Sequence, residues 1–399
     1  MNTLYQARYD ALCAEHRALL EKKNEPLLPG NGVFTRYRDP VITAAHTPLF
    51  WRYDLDPSRN PFLMERLGVN SCFNCGAIEF EGKICLMVRV EGYDRKSFFA
   101  IARSDNGIDN FRFDDLPVLL PETAEPDTNV YDMRLTRHED GWIYGLFCTE
   151  RRSPTAKDSD AKKGHVQIGI VRTHDLVHFE RLPDLKTCAE EQRNVVLHPE
   201  FVNGKYALYT RPFSRLPGNS YAPGIGFGLV DSMENAVMSE PETIIDANIY
   251  HSVKDAKNGM GAAPIKTDLG WISIAHGVRY PAGCIRYVLY AFMADPEKPW
   301  VVTHRPGGYI MAPEGDERVG DVSNVLFTNG VIKRDNGDIL IYYASSDTRL
   351  HVAKTTVAQL TDYCLNTPED ALRSFACVEQ RRELIERNLK AHPELSRLG

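Results

Sequence analysis

Five segments of this chain read as copies of one unit, and an internal repeat constrains a fold more tightly than any other property of a sequence. They are Gly82-Lys-Ile-Cys-Leu-Met-Val-Arg-Val, Gly141-Trp-Ile-Tyr-Gly-Leu-Phe-Cys-Thr, Gly204-Lys-Tyr-Ala-Leu-Tyr-Thr-Arg-Pro, Gly270-Trp-Ile-Ser-Ile-Ala-His-Gly-Val and Gly337-Asp-Ile-Leu-Ile-Tyr-Tyr-Ala-Ser. Their glycines are spaced by 59, 63, 66 and 67 residues. Ahead of each stands a short apolar or alternating stretch and a polar turn, as in Pro199-Glu-Phe-Val-Asn-Gly204 and Val331-Ile-Lys-Arg-Asp-Asn-Gly337. Asn-Gly supplies the positive φ angles of a tight hairpin. A third apolar stretch follows, as in Val166-Gln-Ile-Gly-Ile-Val-Arg172, and several run on through an acidic turn into an aromatic strand, as in Thr173-His-Asp-Leu-Val-His-Phe-Glu180.

Each unit thus offers three or four strands, and five such units fill positions 70 to 360 with little left over. Four-stranded units repeated about an axis make a propeller. Helical periodicity between the strands is nearly absent, which argues against a doubly wound parallel sheet; unrelated hairpins in a β-sandwich are the other alternative. The expected fold is all-β, a five-bladed β-propeller with N- and C-terminal helical extensions. The expected division is 1–60 for an N-terminal helix and lead-in, 61–362 for the catalytic propeller and 363–399 for a C-terminal helix. Tyr5, Tyr9, Leu12, Leu19 and Leu20 fall near helical spacing, and Thr367-Pro-Glu-Asp370 resembles a capped helix start with proline at its first position. Both helices are expected outside the propeller, on its flank or on a neighbouring subunit.

The formal charge of −7 opposes a surface built to neutralise nucleic acid, so any anion site must be a local pocket. No run approaches the roughly 20 apolar residues of a membrane span, and the first residues lack a basic segment followed by an apolar one. The expected location is cytoplasmic. Nine cysteines, an odd count spread along the chain, suit reduced and mostly buried thiols. Cys72 and Cys75 form a C-x-x-C with no second pair at zinc spacing, so no metal and no cofactor is expected.

In a propeller, residues at equivalent places in different blades can converge on the axis. Arg89 and Arg211 stand seven residues beyond their repeat glycines and His276 stands six beyond. A basic residue ending an apolar strand is costly to bury unless an anion is near. Ahead of the hairpins stand Asn74, then Tyr131 and Asp132, then Arg193 and Asn194, then Lys257; the fifth unit offers Asp347 after Tyr342-Tyr-Ala-Ser-Ser. Taken singly, each reads more readily as a surface ion-pairing group. Their recurrence in register favours one shared pocket. Arg193, Arg211, Lys257 and His276 suit an oxyanion such as phosphate. Asn74, Tyr131 and Asp347 suit sugar hydroxyls, and Asp132 is left as an acid.

The stretches Asn74-Cys-Gly-Ala, Leu86-Met-Val-Arg-Val-Glu-Gly92, Val130-Tyr-Asp-Met-Arg-Leu135, His198-Pro-Glu-Phe-Val-Asn-Gly-Lys-Tyr206, Gly259-Met-Gly-Ala-Ala-Pro-Ile-Lys-Thr267, Gly270-Trp-Ile-Ser-Ile-Ala-His-Gly-Val278 and Tyr342-Tyr-Ala-Ser-Ser-Asp347 resemble glycoside hydrolase family 130. The resemblance implies a five-bladed propeller that is an inverting β-mannoside phosphorylase, with phosphate as co-substrate. The N-terminal helical extension and the Val130–Leu135 form are most similar to a subgroup that cleaves mannosyl-β-1,4-glucose into mannose 1-phosphate and glucose and commonly forms homo-oligomers. By motif, the resemblance assigns the general acid to Asp132. It assigns the phosphate cradle to Arg193, Arg211, Lys257, His276 and Tyr287, and the mannosyl contacts to Asn74, Arg89, Arg95, Tyr131 and Asp347. Family members often carry serine where Cys75 stands. The family's proton passes through the 3-hydroxyl of the mannosyl unit.

An inverting hydrolase needs two carboxyl groups, whereas a phosphorylase needs only the acid because its nucleophile arrives anionic. One acid beside many cations fits the second. The alternatives are a phosphorylase of β-1,4-mannooligosaccharides or mannosyl-N-acetylglucosamine, a family hydrolase, and a non-catalytic carbohydrate-binding propeller. The polar segment 151–163 reads either as an acceptor-site cover or as a solvated loop.

Overall fold

Each repeat builds an antiparallel sheet around a hairpin that turns at or beside its repeat glycine. At Asn203-Gly204, for instance, both residues hold positive φ, 54° and 75°, and a Cβ on Gly204 would meet open space, so the glycine is there for its backbone. The computed structural model describes residues 3–152, 164–216, 219–221 and 223–397.

Blade 1 runs Val69–Phe80, Lys83–Gly92, Ser97–Ser104 and Arg112–Phe113 from the axis outward. Blade 2 runs Asn129–Arg137, Ile143–Arg152, Gly164–Thr173 and Glu180–Leu185. Blade 3 comprises Val196–Leu197, Tyr206–Thr210, Gly224–Val230 and Thr243–Ala247, with a separate ribbon of Glu191–Gln192, Pro212–Leu216 and Asn219–Tyr221. In blade 4, Lys257–Met260 and Ile265–Thr267 both pair with Gly270–Arg279, followed by Arg286–Ala294 and Val302–His304. Blade 5 runs Leu326–Lys333, Asp338–Ser345 and Arg349–Thr356.

The outermost strand of blade 5 comes from the other end of the chain. Thr35 and Arg36 pair with Lys354 and Ala353, so the N-terminal lead-in closes the last blade. Arg36 fastens it, donating to the Ala312 carbonyl at 2.6 Å and pairing with Glu314 and Glu317. Two residues carry no periodicity, so nothing in the sequence of the lead-in marks them as a strand.

The apolar faces of neighbouring blades meet in five clusters, one at each boundary of the ring. Leu135, Ile143 and Val171 of blade 2 pack on Met87 and Ile101 of blade 1; Leu146 and Ile168 meet Leu197 and Leu208; Tyr209 and Phe227 meet Phe292; Ile274 and Leu289 meet Ile341; and Leu340 and Val352 return to Leu86 and Val88. An open row of five blades would have four such boundaries, so the fifth cluster is the closure. Each fully buried side chain of this size contributes roughly 1.5–3 kcal/mol.

Among the described residues, four α-helices lie outside the ring: α1 (Thr3–Glu21), α2 (Leu49–Arg52), α3 (Val357–Asn366) and α4 (Ser374–Ala391). The spacing that predicts a helix near the N-terminus is met by α1, whose Tyr5 packs with Tyr53 and Leu63. The helix start expected at Thr367 is a correction. Thr367 instead ends α3, its N–H bonded to the Tyr363 carbonyl, because the residue before a proline is pushed out of helical backbone. Glu369 then bridges Pro306, and the chain turns at Leu372, whose φ is 57°, before α4 begins at Ser374.

Candidate active site

The inner strands share an irregularity that sets the site. The pairing of blade 1 jumps between Phe73 and Cys75, that of blade 2 between Tyr131 and Arg134, and that of blade 5 between Thr328 and Gly330. The residues expelled from the ladder include Asn74, Asp132 and Asn329, and bulges of this kind re-aim side chains. Asn74, Asp132 and, in blade 3, Asn194 hold φ of 47°, 58° and 52°. Asn and Asp tolerate that backbone better than other side-chain-bearing residues.

On the blade 1 side, Asp132 is buried and its Oδ1 accepts from Asn74 Nδ2 at 2.9 Å and from Arg89 Nη1 at 3.2 Å. Arg89 also donates from Nη2 to Glu91 at 3.1 Å and from Nε to Ser97 at 3.0 Å, and its guanidinium lies 4.4 Å and 4.9 Å from the Phe73 and Tyr131 ring centres. Burial works against its charge, but Asp132, Asp347 and Glu91 outweigh it and raise the pKa. Burial, then repulsion from Asp132, pushes the Asp347 carboxyl up to about 7 despite Arg89. The Tyr131 hydroxyl donates to Glu150 at 2.8 Å, and burial raises its pKa. Arg95 stands at the mouth, 86% exposed, 3.7 Å from Glu91. A cavity of about 560 Å³ opens here between Phe73, Arg89, Glu91, Arg95, Asp321 and Asp347.

On the blade 3 and 4 side, Arg193 and Arg211 occupy the hinge between blade 3 and its ribbon, the Arg193 N–H meeting the Arg211 carbonyl at 3.4 Å. Arg211 is buried with Nε unpartnered, and burial followed by the nearby Arg193 lowers its pKa, against the pull of Tyr287. Lys257 is brought down to about 8 by burial, Arg211 and Arg193. Its ammonium lies 5.6 Å from the Tyr287 ring centre, and Tyr287 stacks on His276 at 5.8 Å. Burial lifts the Tyr287 phenol to about 12, with Arg211 opposing. His276 is wholly buried, and burial followed by Arg211, Arg134 and Lys257 drives its pKa well down, so its ring is neutral. Its Nε2 meets Asn194 Nδ2 at 3.2 Å and its Nδ1 is unpartnered.

The two groups meet electrostatically at the buried Cys148, on which Asp132, Arg134 and Arg193 all bear. Crowding Arg193, Arg211 and Lys257 together costs free energy that a bound anion would offset. A wider cavity of about 940 Å³ between Glu125, Arg151, Asp184 and Glu191 is lined by neither the acid nor the cations. The possible cover loop is mostly 153–163, which lies outside the described residues.

Sequence reasoning missed Glu91 and Glu150, which hold Arg89 and Tyr131, and Asn329, both of whose amide atoms are buried without a partner. The signal for Asn329 was present: it precedes its repeat glycine, Gly337, by the same eight residues that separate Asn74 from Gly82. Cys72 and Cys75 are both buried and free, and burial raises both thiols.

Residues 53–366 match the family model described as beta-1,4-mannooligosaccharide phosphorylase. The chain is 58% identical to the 4-O-beta-D-mannosyl-D-glucose phosphorylase of Bacteroides fragilis over 388 residues, 97% of this chain and 99% of the relative. It is 28% identical to the beta-1,4-mannooligosaccharide phosphorylase of Ruminococcus albus over 328 residues, 79% of this chain and 90% of that one. Among solved structures, the beta-1,2-mannobiose phosphorylase of Listeria innocua, in complex with beta-1,2-mannobiose, aligns with a TM-score of 0.67 at 21% identity, covering 83% of this chain and 98% of that one. That likeness concerns the fold alone.

Proposed function

The chain belongs to glycoside hydrolase family 130 and is a β-mannoside phosphorylase, and on that premise we propose that it cleaves mannosyl-β-1,4-glucose with inorganic phosphate, inverting the anomeric carbon to give α-mannose 1-phosphate and glucose. The observation that carries the reading is the group of Arg193, Arg211 and Lys257, close enough to bear on one another's charge, with His276 and Tyr287 beside it and Asp132 and Arg193 both acting on the buried Cys148.

A phosphate dianion seated on those cations attacks the mannosyl C1 from the face opposite the leaving oxygen. The bond from C1 to the glucose oxygen breaks as the bond to the phosphate oxygen forms. Asp132 is the general acid, giving its proton to the departing oxygen through the mannosyl 3-hydroxyl, and the proton released from phosphate restores it. Asn74, Arg89, Arg95, Tyr131 and Asp347 hold the mannosyl unit. Positioning and charge neutralisation supply the catalysis. Asp347 lines the pocket with Arg89 and bears on its charge together with Asp132, which suits a contact to the mannosyl unit. Arg193, Arg211 and Lys257 set positive charge where phosphate would sit, with Glu150 and Glu191 bearing on Arg193.

The acceptor is tested in the synthetic direction. With mannose 1-phosphate as donor, glucose is expected to be consumed faster than mannose, mannobiose or N-acetylglucosamine. Faster use of mannobiose would reassign the enzyme to mannooligosaccharides.

The working form is a homo-oligomer. Helix α4 buries none of its residues and presents Phe375, Val378, Leu384 and Ile385 to solvent, a patch of a kind that marks protein contacts. No described helix is long and apolar enough to cross a membrane, and all nine cysteines are free, as suits the cytoplasm.

A further inference from the structure

Burying a guanidinium is costly, and Arg134, at 1% exposure, is among the largest wholly buried side chains of the protein. Among the described residues its hydrogen bonds all end on backbone carbonyls. Nη1 donates to the Asp132 carbonyl at 2.9 Å, Nε to the Gly261 carbonyl at 2.8 Å, and Nη2 to the Met260 carbonyl at 3.4 Å. The guanidinium also lies 5.7 Å from the Phe327 ring centre. Burial brings its pKa down to about 10, with Asp132 opposing the fall, so the group is charged at neutral pH.

The partners give this arginine its meaning. Asp132 lies in a bulge of blade 2, where the pairing passes from Tyr131 opposite Cys148 to Arg134 opposite Leu146 and leaves the Asp132 carbonyl outside the ladder. Met260 and Gly261 lie where the first strand of blade 4 breaks, three and four residues after Lys257. One side chain therefore binds the backbone of the acid and the backbone that presents a cradle lysine. It crosses from blade 2 to blade 4 to do so, and at 1% exposure it has almost no surface to offer a substrate.

We propose that Arg134 is a positioning residue that fixes the Asp132 bulge against the Lys257–Met260 strand, so that acid and phosphate are held at a set separation across the glycosidic bond. Three donors in a rigid planar fork can hold three carbonyls at once, which an ammonium on a flexible stem cannot. Misplacement by about 1 Å costs on the order of 100-fold in rate. An arginine that served stability alone could be replaced by an apolar side chain of similar volume without loss of turnover in the folded enzyme.

The inference rests on the proposed phosphorolysis, so wild-type turnover of mannosylglucose with phosphate is measured first; without it the proposed function falls, and this inference with it. Arg134→Met and Arg134→Lys are then compared for kcat and both KM values, per folded molecule and alongside thermal melting. In Arg134→Met, kcat is expected to fall about 100-fold with both KM values within about 3-fold. In Arg134→Lys the charge stays but the planar fork is lost, and kcat is still expected to fall at least about 10-fold. Wild-type kcat in Arg134→Lys would overturn the proposal, as would activity in Arg134→Met that tracks only the folded fraction. If Arg134→Met does not fold, the lysine variant decides alone.

Discussion

The side-chain amide of Asn74 donates to Oδ1 of Asp132 at 2.9 Å, a buried bond that joins blade 1 to blade 2. Both residues hold left-handed backbone, which costs an ordinary L-residue roughly 1–2 kcal/mol. Two bulges, one in each inner strand, thus point their polar side chains at one another, and the acid's direction depends on a partner in the neighbouring blade. Asn74→Gly keeps the backbone and removes the amide. Its kcat is expected to fall about 10-fold or more with the melting temperature nearly unchanged; steady-state kinetics that match wild type would remove Asn74 from the site.

Asp132→Asn preserves shape but cannot give a proton. Turnover is expected to drop by about 10²- to 10⁴-fold, with circular dichroism and melting as in wild type. Unaltered turnover would take the acid role from this residue.

Among the described residues, Arg211 has no partner for its Nε and no carboxylate opposing its fall in pKa. In Arg211→Ala the KM for phosphate is expected to rise at least about 10-fold while that for the sugar stays within about 3-fold. A lower melting temperature with both KM values intact would make the arginine structural.

Two groups set the pH dependence. Lys257, at about 8 instead of 10.5, loses its charge as pH rises through 8, so phosphate KM is expected to climb above that pH. Lys257→Arg should flatten the climb, and an equally steep profile would count against the lysine. Asp347 is raised from 3.8 to about 7, so between about pH 4 and 7 the folded state binds more protons than the unfolded one. Its contribution to stability is therefore lost as pH rises through 7. Asp347→Asn should melt with a shallower decline from pH 5 to 8 than wild type; parallel declines would mean that the carboxyl is not proton-bearing.

The apolar residues of α4 predict assembly. In Val378→Glu with Ile385→Glu, light scattering after gel filtration is expected to give a smaller species than wild type. Equal masses would exclude α4 as the contact.

Much of this was legible because the turns demand it: Gly204 and its counterparts mark hairpins through their backbone, and the intervals between them announce the blades. Polar residues could be placed near the axis for the same reason, since Asn74, Asp132 and Asn194 stand at similar distances before those glycines. The rest depended on contacts distant in sequence. Nothing in Thr35–Arg36 says that it will finish a blade built from Leu326 onward. Arg134 reads as one more basic residue in an apolar strand until the fold brings it the carbonyls of Met260 and Gly261. Thr367-Pro368 carries signals that serve a helix start and a helix stop alike, and only the preceding turns of α3 decide between them.

The central claim is that phosphate, not water, attacks the mannoside. Mannosyl-β-1,4-glucose is incubated with the enzyme, with and without phosphate, and followed by ³¹P and ¹H NMR. The account predicts that α-mannose 1-phosphate and glucose form together only when phosphate is present, and not with Asp132→Asn. Free mannose released at the same rate without phosphate would contradict it.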